Sequence, residues 1–187
     1  ALVEMETLFK DRFTLITQNV DNLHLRAGNS LAKTLQIHGN VFFMRCADEC
    51  KREVLPIPKN LTGREKNETL TETDRQLLMC PYCSSRTRPH VLWFDEMYNE
   101  HYYRYHSALK VAEETDLLLV VGTSGATSLP NQVVWEVKHR NGIIIDINIE
   151  KNPFSDIALN SRQGFFVKQP SGETLPDILQ RFKDVIE

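Results

Sequence analysis

Asp116-Leu-Leu-Leu-Val-Val121, closed by Gly122-Thr-Ser-Gly125, is the stretch on which the fold turns. Five large apolar residues follow one another with no polar alternation. A strand wet on one face alternates, so an unbroken run predicts a strand covered on both faces, as in a parallel sheet between helices. Outward from it, Ile143-Ile-Ile-Asp-Ile-Asn-Ile149 repeats the pattern, and residues 131–140 between the two read as a helix stopped by Gly142. Pro89–Phe94 reads as extended, and a helical pattern runs from about Asn99 to Glu114. Towards the amino end, Phe13-Thr-Leu-Ile-Thr17 is a short buried strand behind the helical stripe Leu2, Met5, Leu8 and Phe9. Leu35-Gln-Ile-His-Gly39 and Val41–Met44 look extended, and Leu175–Val185 closes the chain as an amphipathic helix. The alternation of strands and helices predicts an α/β fold with a doubly wound, Rossmann-like parallel sheet. Such sheets hold ligands at the carboxyl ends of their strands. Three polar clusters fall there: Thr17-Gln-Asn-Val-Asp21, Gly122-Thr-Ser124 and Asn148–Glu150.

The four cysteines form a C-x3-C pair, Cys46 and Cys50, and a C-x2-C pair, Cys80 and Cys83, with 29 residues between the pairs. Two pairs of thiols at this spacing can converge on one tetrahedral zinc ion, and four thiolates leave no open position for a substrate, so the metal reads as structural. The alternative is four unrelated buried thiols. Between the pairs, Lys59 to Gln76 has only Leu61 and Leu70 as large apolar residues and reads as a solvated loop of a small zinc lobe inserted in the sheet domain. The boundaries expected are 1–45 and 90–187 for the sheet domain and 46–89 for the lobe.

Composition narrows the classes of function. The chain has 187 residues, 41% of them hydrophobic, and a net charge of −3, which argues against a nucleic-acid binder or a membrane-surface protein. Its apolar runs are too short to span a bilayer. No basic and apolar leader stands at the front, so a cytoplasmic, intracellular protein is expected.

Taken one by one, the chemistry-bearing residues are weak signals. A lone His38 is more often a core histidine than a base. Gln18, Asn19 and Asp21 equally describe a turn and helix cap, and Gly122-Thr-Ser124 a plain turn. Their order along the chain is specific. Thr17-Gln-Asn-Val-Asp-Asn-Leu-His24 with Ala27-Gly28 resembles the signature T-Q-N-[IV]-D-G-L-H-x-x-A-G of the sirtuin (Sir2) family. His38-Gly39, the two cysteine pairs, Arg88-Pro-His-Val-Leu-Trp-Phe94 with Glu96, Gly122-Thr-Ser124, Ile147-Asn-Ile-Glu150 and Glu173-Thr-Leu-Pro176 follow in the family's order.

The resemblance implies an NAD-dependent protein-lysine deacylase of the deacetylase type, with NAD and a structural Zn2+ as cofactors. It makes His38 the general base, a role a neutral imidazole suits, and Asn19 its catalytic companion. It places Gln18, Asn19, Asp21, Gly122, Thr123, Ser124, Asn148, Glu150 and Ser171 around NAD. It assigns Val91, Phe94, Asp95, Glu96, Gly125 and Ala126 to an acyl-lysine peptide added as a strand between two edges; plain core packing is the alternative for Val91. The implied partners are acylated lysine side chains of proteins, with no direct nucleic-acid binding, no membrane, and no reading of oligomeric state. In the implied chemistry the acyl oxygen displaces nicotinamide, His38 activates a ribose hydroxyl, and water releases lysine and O-acyl-ADP-ribose. ADP-ribosyl transfer, NAD hydrolysis, or an inactive peptide-binding form are the competing readings.

Four departures from the family's pattern stand out. Asn22 replaces a glycine, Asp95 replaces the glycine of an F-G-E element, Pro130 sits one position late, and the first cysteine pair is C-x3-C where C-x2-C is usual. Nothing here matches the family's Gly-Ala-Gly-x-Ser phosphate loop or the lid after it. The chain is accordingly expected to be the later two-thirds of a larger catalytic domain.

Overall fold

The computed structural model describes residues 1–62 and 67–186. In chain order, helix α1 (Leu2–Phe9) and one 3-10 turn (Lys10–Arg12) lead into strand β1 (Leu15–Thr17), helix α2 (Leu23–Ala27) and strand β2 (Thr34–Gln36). Strands β3 (Gly39–Cys46) and β4 (Val54–Pro56), helix α3 (Glu72–Leu77) and strand β5 (Thr87–Val91) follow. Helices α4 (Glu100–Tyr103) and α5 (Tyr105–Glu113) then precede the alternation β6 (Leu117–Val121), α6 (Ser128–His139), β7 (Ile143–Ile147), α7 (Pro153–Leu159), β8 (Phe165–Val167) and α8 (Ser171–Ile186).

β6, β7 and β8 form a parallel sheet in that order, with Leu117 opposite Ile143 and Ile145 opposite Phe165. β1 and β2 form a second parallel pair, Leu15 opposite Thr34. Helices cover both faces, as apolar strands demand. Ala108, Ala112, Val133, Val137 and Phe154 from α5, α6 and α7 pack on one side against Val120 and Ile144. Met5 of α1 and Leu175 and Leu179 of α8 pack on the other against Ile147. The expected Rossmann-like α/β arrangement is thus present. The cysteine lobe adds an antiparallel sheet, β4-β3-β5, in which Arg45 faces both Val54 and Arg88. The expected boundary at 45/46 falls inside β3 and that at 89/90 inside β5.

Several sequence expectations need correction. The run Leu117–Val121 is not buried throughout: Val120 is, but Leu117 and Val121 are 37% and 36% exposed, because β6 pairs only with β7 among the described residues. The helix expected over 99–114 is two helices, broken at Arg104 in a left-handed conformation (φ 55°). The Glu100 carboxylate accepts from the Ser107 backbone N–H and hydroxyl, satisfying the start of α5 and so favouring the break. The solvated loop over 59–76 contains α3, started by a reciprocal cap between Thr71 and Asp74; residues 63–66 of that loop lie outside the described residues. α8 begins four residues before Leu175, with Pro176 inside its second turn. α7, which the sequence reading passed over, starts on an Asn152 cap with Pro153 in its first turn.

Candidate functional site

The three polar clusters meet. Gln18, just past β1, donates through Nε2 to Thr123 Oγ1 (2.9 Å) beyond β6 and accepts from Thr127 Oγ1 (2.9 Å) at its Oε1. Asn148, just past β7, donates through Nδ2 to the Thr123 carbonyl (3.0 Å). One carboxamide therefore joins the two parallel sheets at their carboxyl ends, and a second joins neighbouring strand ends. The Gly125–Thr127 loop is pinned by Asn131, whose Nδ2 donates to the carbonyls of Gly125 and Thr127 (2.6 and 2.8 Å).

His38 sits between β2 and β3 and faces the same cluster. Its Nδ1 lies 3.1 Å from the Gln18 carbonyl and its Nε2 2.7 Å from the Tyr98 hydroxyl. A carbonyl only accepts, so Nδ1 carries the proton and Nε2 presents a lone pair to Tyr98. Burial lowers the pKa of His38, opposed by the hydrogen bond to Gln18, which keeps the ring neutral and basic at neutral pH. The turn that aims His38 needs Gly39: its φ is +84°, and a Cβ there would stand 2.1 Å from the His90 carbonyl oxygen. β5 runs alongside, with Val91 opposite Gly39 and the Leu92 N–H donating to the His38 carbonyl (3.0 Å).

Other candidate positions are placed with different partners. Asn19 and Asp21 line a small cleft with Thr34 and Gln36 at the ends of β1 and β2. Asp21 Oδ1 accepts from the Leu23 N–H (3.0 Å), and the Asn19 N–H donates to Thr17 Oγ1 (3.1 Å). Asn22 takes a left-handed φ of 63° and accepts from Asn40 Nδ2 (2.8 Å), so asparagine fills the glycine's place in this turn. Gly122 (φ +60°) opens onto free space, whereas a Cβ on Gly125 would press against the Phe154 ring. Glu150 is exposed, and Ser171 opens α8.

Phe94 stands fully in solvent at 108% exposure, Asp95 and Met97 are exposed beside it, and Ala126 is exposed on the loop that Asn131 holds. Glu96 is engaged internally: Arg88 and Arg45 both donate to its carboxylate, and so does the Trp93 N–H (2.8 Å). The Arg88 guanidinium also stacks over the Trp93 ring at 3.6 Å. These contacts brace the base of the exposed segment and engage both oxygens of the Glu96 carboxylate. Tyr98 escaped the sequence reading, because a tyrosine in a loop carries no spacing signal; only the fold brings it to His38.

The four cysteine sulfurs lie within 4.8 Å of one another, with Cys46–Cys83 at 3.6 Å and Cys50–Cys80 at 3.5 Å. A tetrahedral zinc–thiolate site with bonds near 2.3 Å requires sulfurs about 3.8 Å apart. Left-handed turns at Glu49 and Ser84 shape the two knuckles. The thiols cannot all ionise unaided. Cys83 is drawn down to about 6, chiefly by the Ser85 hydroxyl, while Cys50 is pushed up to about 12, chiefly by its hydrogen bond to Cys83. A divalent cation resolves that conflict, so the residues fit zinc. They fit NAD as well: carboxamides, hydroxyls and an unobstructed glycine converge at strand carboxyl ends, where sugar and phosphate groups find donors and acceptors.

Residues 1–128 match the Sir2 family model. The NAD-dependent protein deacylase of Leptospira interrogans serogroup Icterohaemorrhagiae serovar Lai is 37% identical over 185 residues, which are 98% of this chain and 66% of the relative. The NAD-dependent protein deacylase of Thermococcus kodakarensis is 35% identical over 187 residues, 100% of this chain and 66% of the relative. This chain thus spans 66% of the length of these two relatives. Among solved structures, a Sir2 homolog–NAD complex superposes with a TM-score of 0.77 at 26% identity, covering 100% of this chain and 63% of the other. A Sir2 homologue mutant bound to ADP-ribose gives 0.78 at 28% identity, covering 99% and 65%. With its motifs, its parallel sheets and its cysteine cluster in place, the chain belongs to the Sir2 family.

Proposed function

We propose that this chain carries the catalytic base and most of the polar contacts of an NAD-dependent protein-lysine deacylase. The observation that supports this most is the hydrogen-bonded set His38, Gln18, Thr123, Thr127 and Asn148 at the meeting point of the two parallel sheets. It offers a neutral, oriented imidazole beside carboxamides and hydroxyls, a donor set for a dinucleotide's sugars and amide. The relatives' names, NAD-dependent protein deacylase, point the same way.

In this reading Gln18, Asn19 and Asp21 hold the nicotinamide end. Gly122, Thr123 and Ser124 hold phosphate or ribose, and Asn148, Glu150 and Ser171 hold the adenosine end. NAD, when bound, supplies a ribose carbon that accepts the acyl oxygen as nicotinamide leaves. His38 takes a proton from a sugar hydroxyl at Nε2, while the Gln18 carbonyl keeps Nδ1 protonated and the ring in register. The acyl-lysine peptide lies between the Phe94–Glu96 segment and Gly125–Ala126, with Val91 towards the buried end, and Phe94 covers the reacting group. A zinc ion held by Cys46, Cys50, Cys80 and Cys83 supplies rigidity and takes no part in the chemistry.

Asp95 puts an exposed carboxylate at the peptide edge, so acetyl-peptides with basic flanks should be preferred to succinyl-peptides. Asp95→Gly should narrow that gap, and unchanged selectivity counts against this use of the loop. The central test is acetyl-peptide turnover with NAD, comparing the wild type with His38→Ala. The expected result is a loss of 100-fold or more, in line with the worth of a general base of about 10²–10⁴. Net NAD consumption in the absence of acyl-peptide that survives His38→Ala would favour ADP-ribosyl transfer or hydrolysis.

A further inference from the structure

The nitrogen that must accept a proton is already in a hydrogen bond. His38 Nε2 lies 2.7 Å from the Tyr98 hydroxyl, and the Gln18 carbonyl claims the proton on Nδ1, so Tyr98 is the donor and Nε2 the acceptor. Tyr98 is not a chance neighbour. It follows the Glu96 brace by two residues, and its ring lies against that of Tyr105 with centroids 6.4 Å apart and planes 28° apart. Tyr105 is in turn tied to α6, its hydroxyl donating to Gln132 Oε1 (2.8 Å). Across the cluster, Thr127 donates to Gln18, whose carbonyl holds the other His38 nitrogen. The phenol is therefore held at its oxygen by the base and at its ring by Tyr105. In the present geometry the acceptor position of His38 Nε2 is taken by the Tyr98 hydroxyl.

We propose that Tyr98 and His38 act as a two-residue proton relay, in which a substrate hydroxyl gives its proton to the Tyr98 oxygen as the Tyr98 proton passes to His38 Nε2. One O–H bond of the substrate breaks and one forms on Tyr98. The original Tyr98 O–H breaks as N–H forms on the imidazole, so the phenol ends neutral and the positive charge rests on His38. Free tyrosinate is never required. This matters because burial raises the pKa of Tyr98 above its usual value and makes a standing phenolate unfavourable. The relay rests on His38 being the base, and it goes further by assigning the proton's path to a residue outside the family's motifs as quoted from this sequence.

The test is Tyr98→Phe, which keeps the ring against Tyr105 and removes only the hydroxyl. The first readout needs no turnover: 15N NMR of His38 in the free protein. The wild type should show the Nδ1–H tautomer with a hydrogen-bonded Nε2, and Tyr98→Phe should move that Nε2 resonance to the position of an unbonded ring nitrogen. An unmoved resonance overturns the proposal. The second readout splits the reaction. Deacylated-peptide formation should fall about 100-fold, within the range for a general acid–base group, while nicotinamide exchange falls no more than about two-fold and the melting temperature holds. Equal loss of both rates, or wild-type turnover in Tyr98→Phe, overturns the relay alone. A wild type indistinguishable from His38→Ala overturns the reading of the site, and the relay with it.

Discussion

Gly39 carries a larger share of this site than its size suggests. Its left-handed turn aims the His38 ring at Gln18 and Tyr98, and the space for a Cβ is taken by the His90 carbonyl. Gly39→Ala should therefore cost about 3 kcal/mol or more, seen as a lowered denaturation midpoint; a stability near wild type would mean that the β3–β5 register yields. His38 itself is pushed below the ordinary histidine value by burial. Because the neutral form is the base, kcat/KM should rise with pH through a midpoint below about 6.5. A midpoint above that value would contradict the environment seen here. His90 tells a stability story instead. Burial first, then Arg45 and Arg88, hold its pKa down to about 4. The unfolded chain binds that proton near pH 6.5 and the folded one does not, so stability should fall as the pH drops from about 6.5 towards 4. His90→Gln should flatten that limb in urea titrations.

Among the elements, the junction of β3, β5 and the segment after β5 depends on charge rather than on apolar packing. Arg45, with a side chain only 4% exposed, shares the Glu96 carboxylate with Arg88 and stacks over Tyr102 at 4.4 Å. Glu96→Gln leaves a buried guanidinium short of a counter-charge. The expected loss is about 2 kcal/mol, or roughly 4–8 °C in Tm, with faster amide exchange from Trp93 to Tyr98. Exchange unchanged in that segment would show that the brace does not order it. Legibility also varied from element to element. α6 and β7 were readable because long apolar periodicity survives any context. α3 was misread as loop because its six residues have almost no apolar stripe, and its signal is a single Thr71–Asp74 cap. The break at Arg104 was invisible because the carboxylate that caps α5 comes from the preceding helix.

At the scale of the molecule, two architectures share one chain, and they should respond differently to metal removal. The parallel sheet has its own apolar cores on both faces. Among the described residues, the lobe between β3 and β5 has little beyond its small antiparallel sheet and the four cysteines. Chelation should thus raise amide exchange sharply in β4, α3 and the two cysteine turns while β6, β7 and α6 stay protected, as expected where metal binding supplies folding free energy. Equal loss of protection everywhere would show that the two parts fold as one unit. Cys50→Ser should produce the same pattern without chelator.

The sequence by itself determined the local and the additive: which runs are strands, that two cysteine pairs have the spacing to share one zinc ion, that Asn22 tolerates a left-handed turn, and which family's motifs stand in which order. These follow from periodicity, from ligand spacing and from single-residue backbone preference, none of which needs a distant neighbour. Only the tertiary structure decided that β6, paired among the described residues with β7 alone, leaves Leu117 and Val121 partly in solvent. It alone turned Glu96 inward to two arginines, joined Gln18 to Thr123 across 105 residues of chain, and brought Tyr98 to His38 from 60 residues away. Those outcomes depend on which surfaces meet, and a hydrogen bond between distant side chains leaves no periodic trace in the residues that make it.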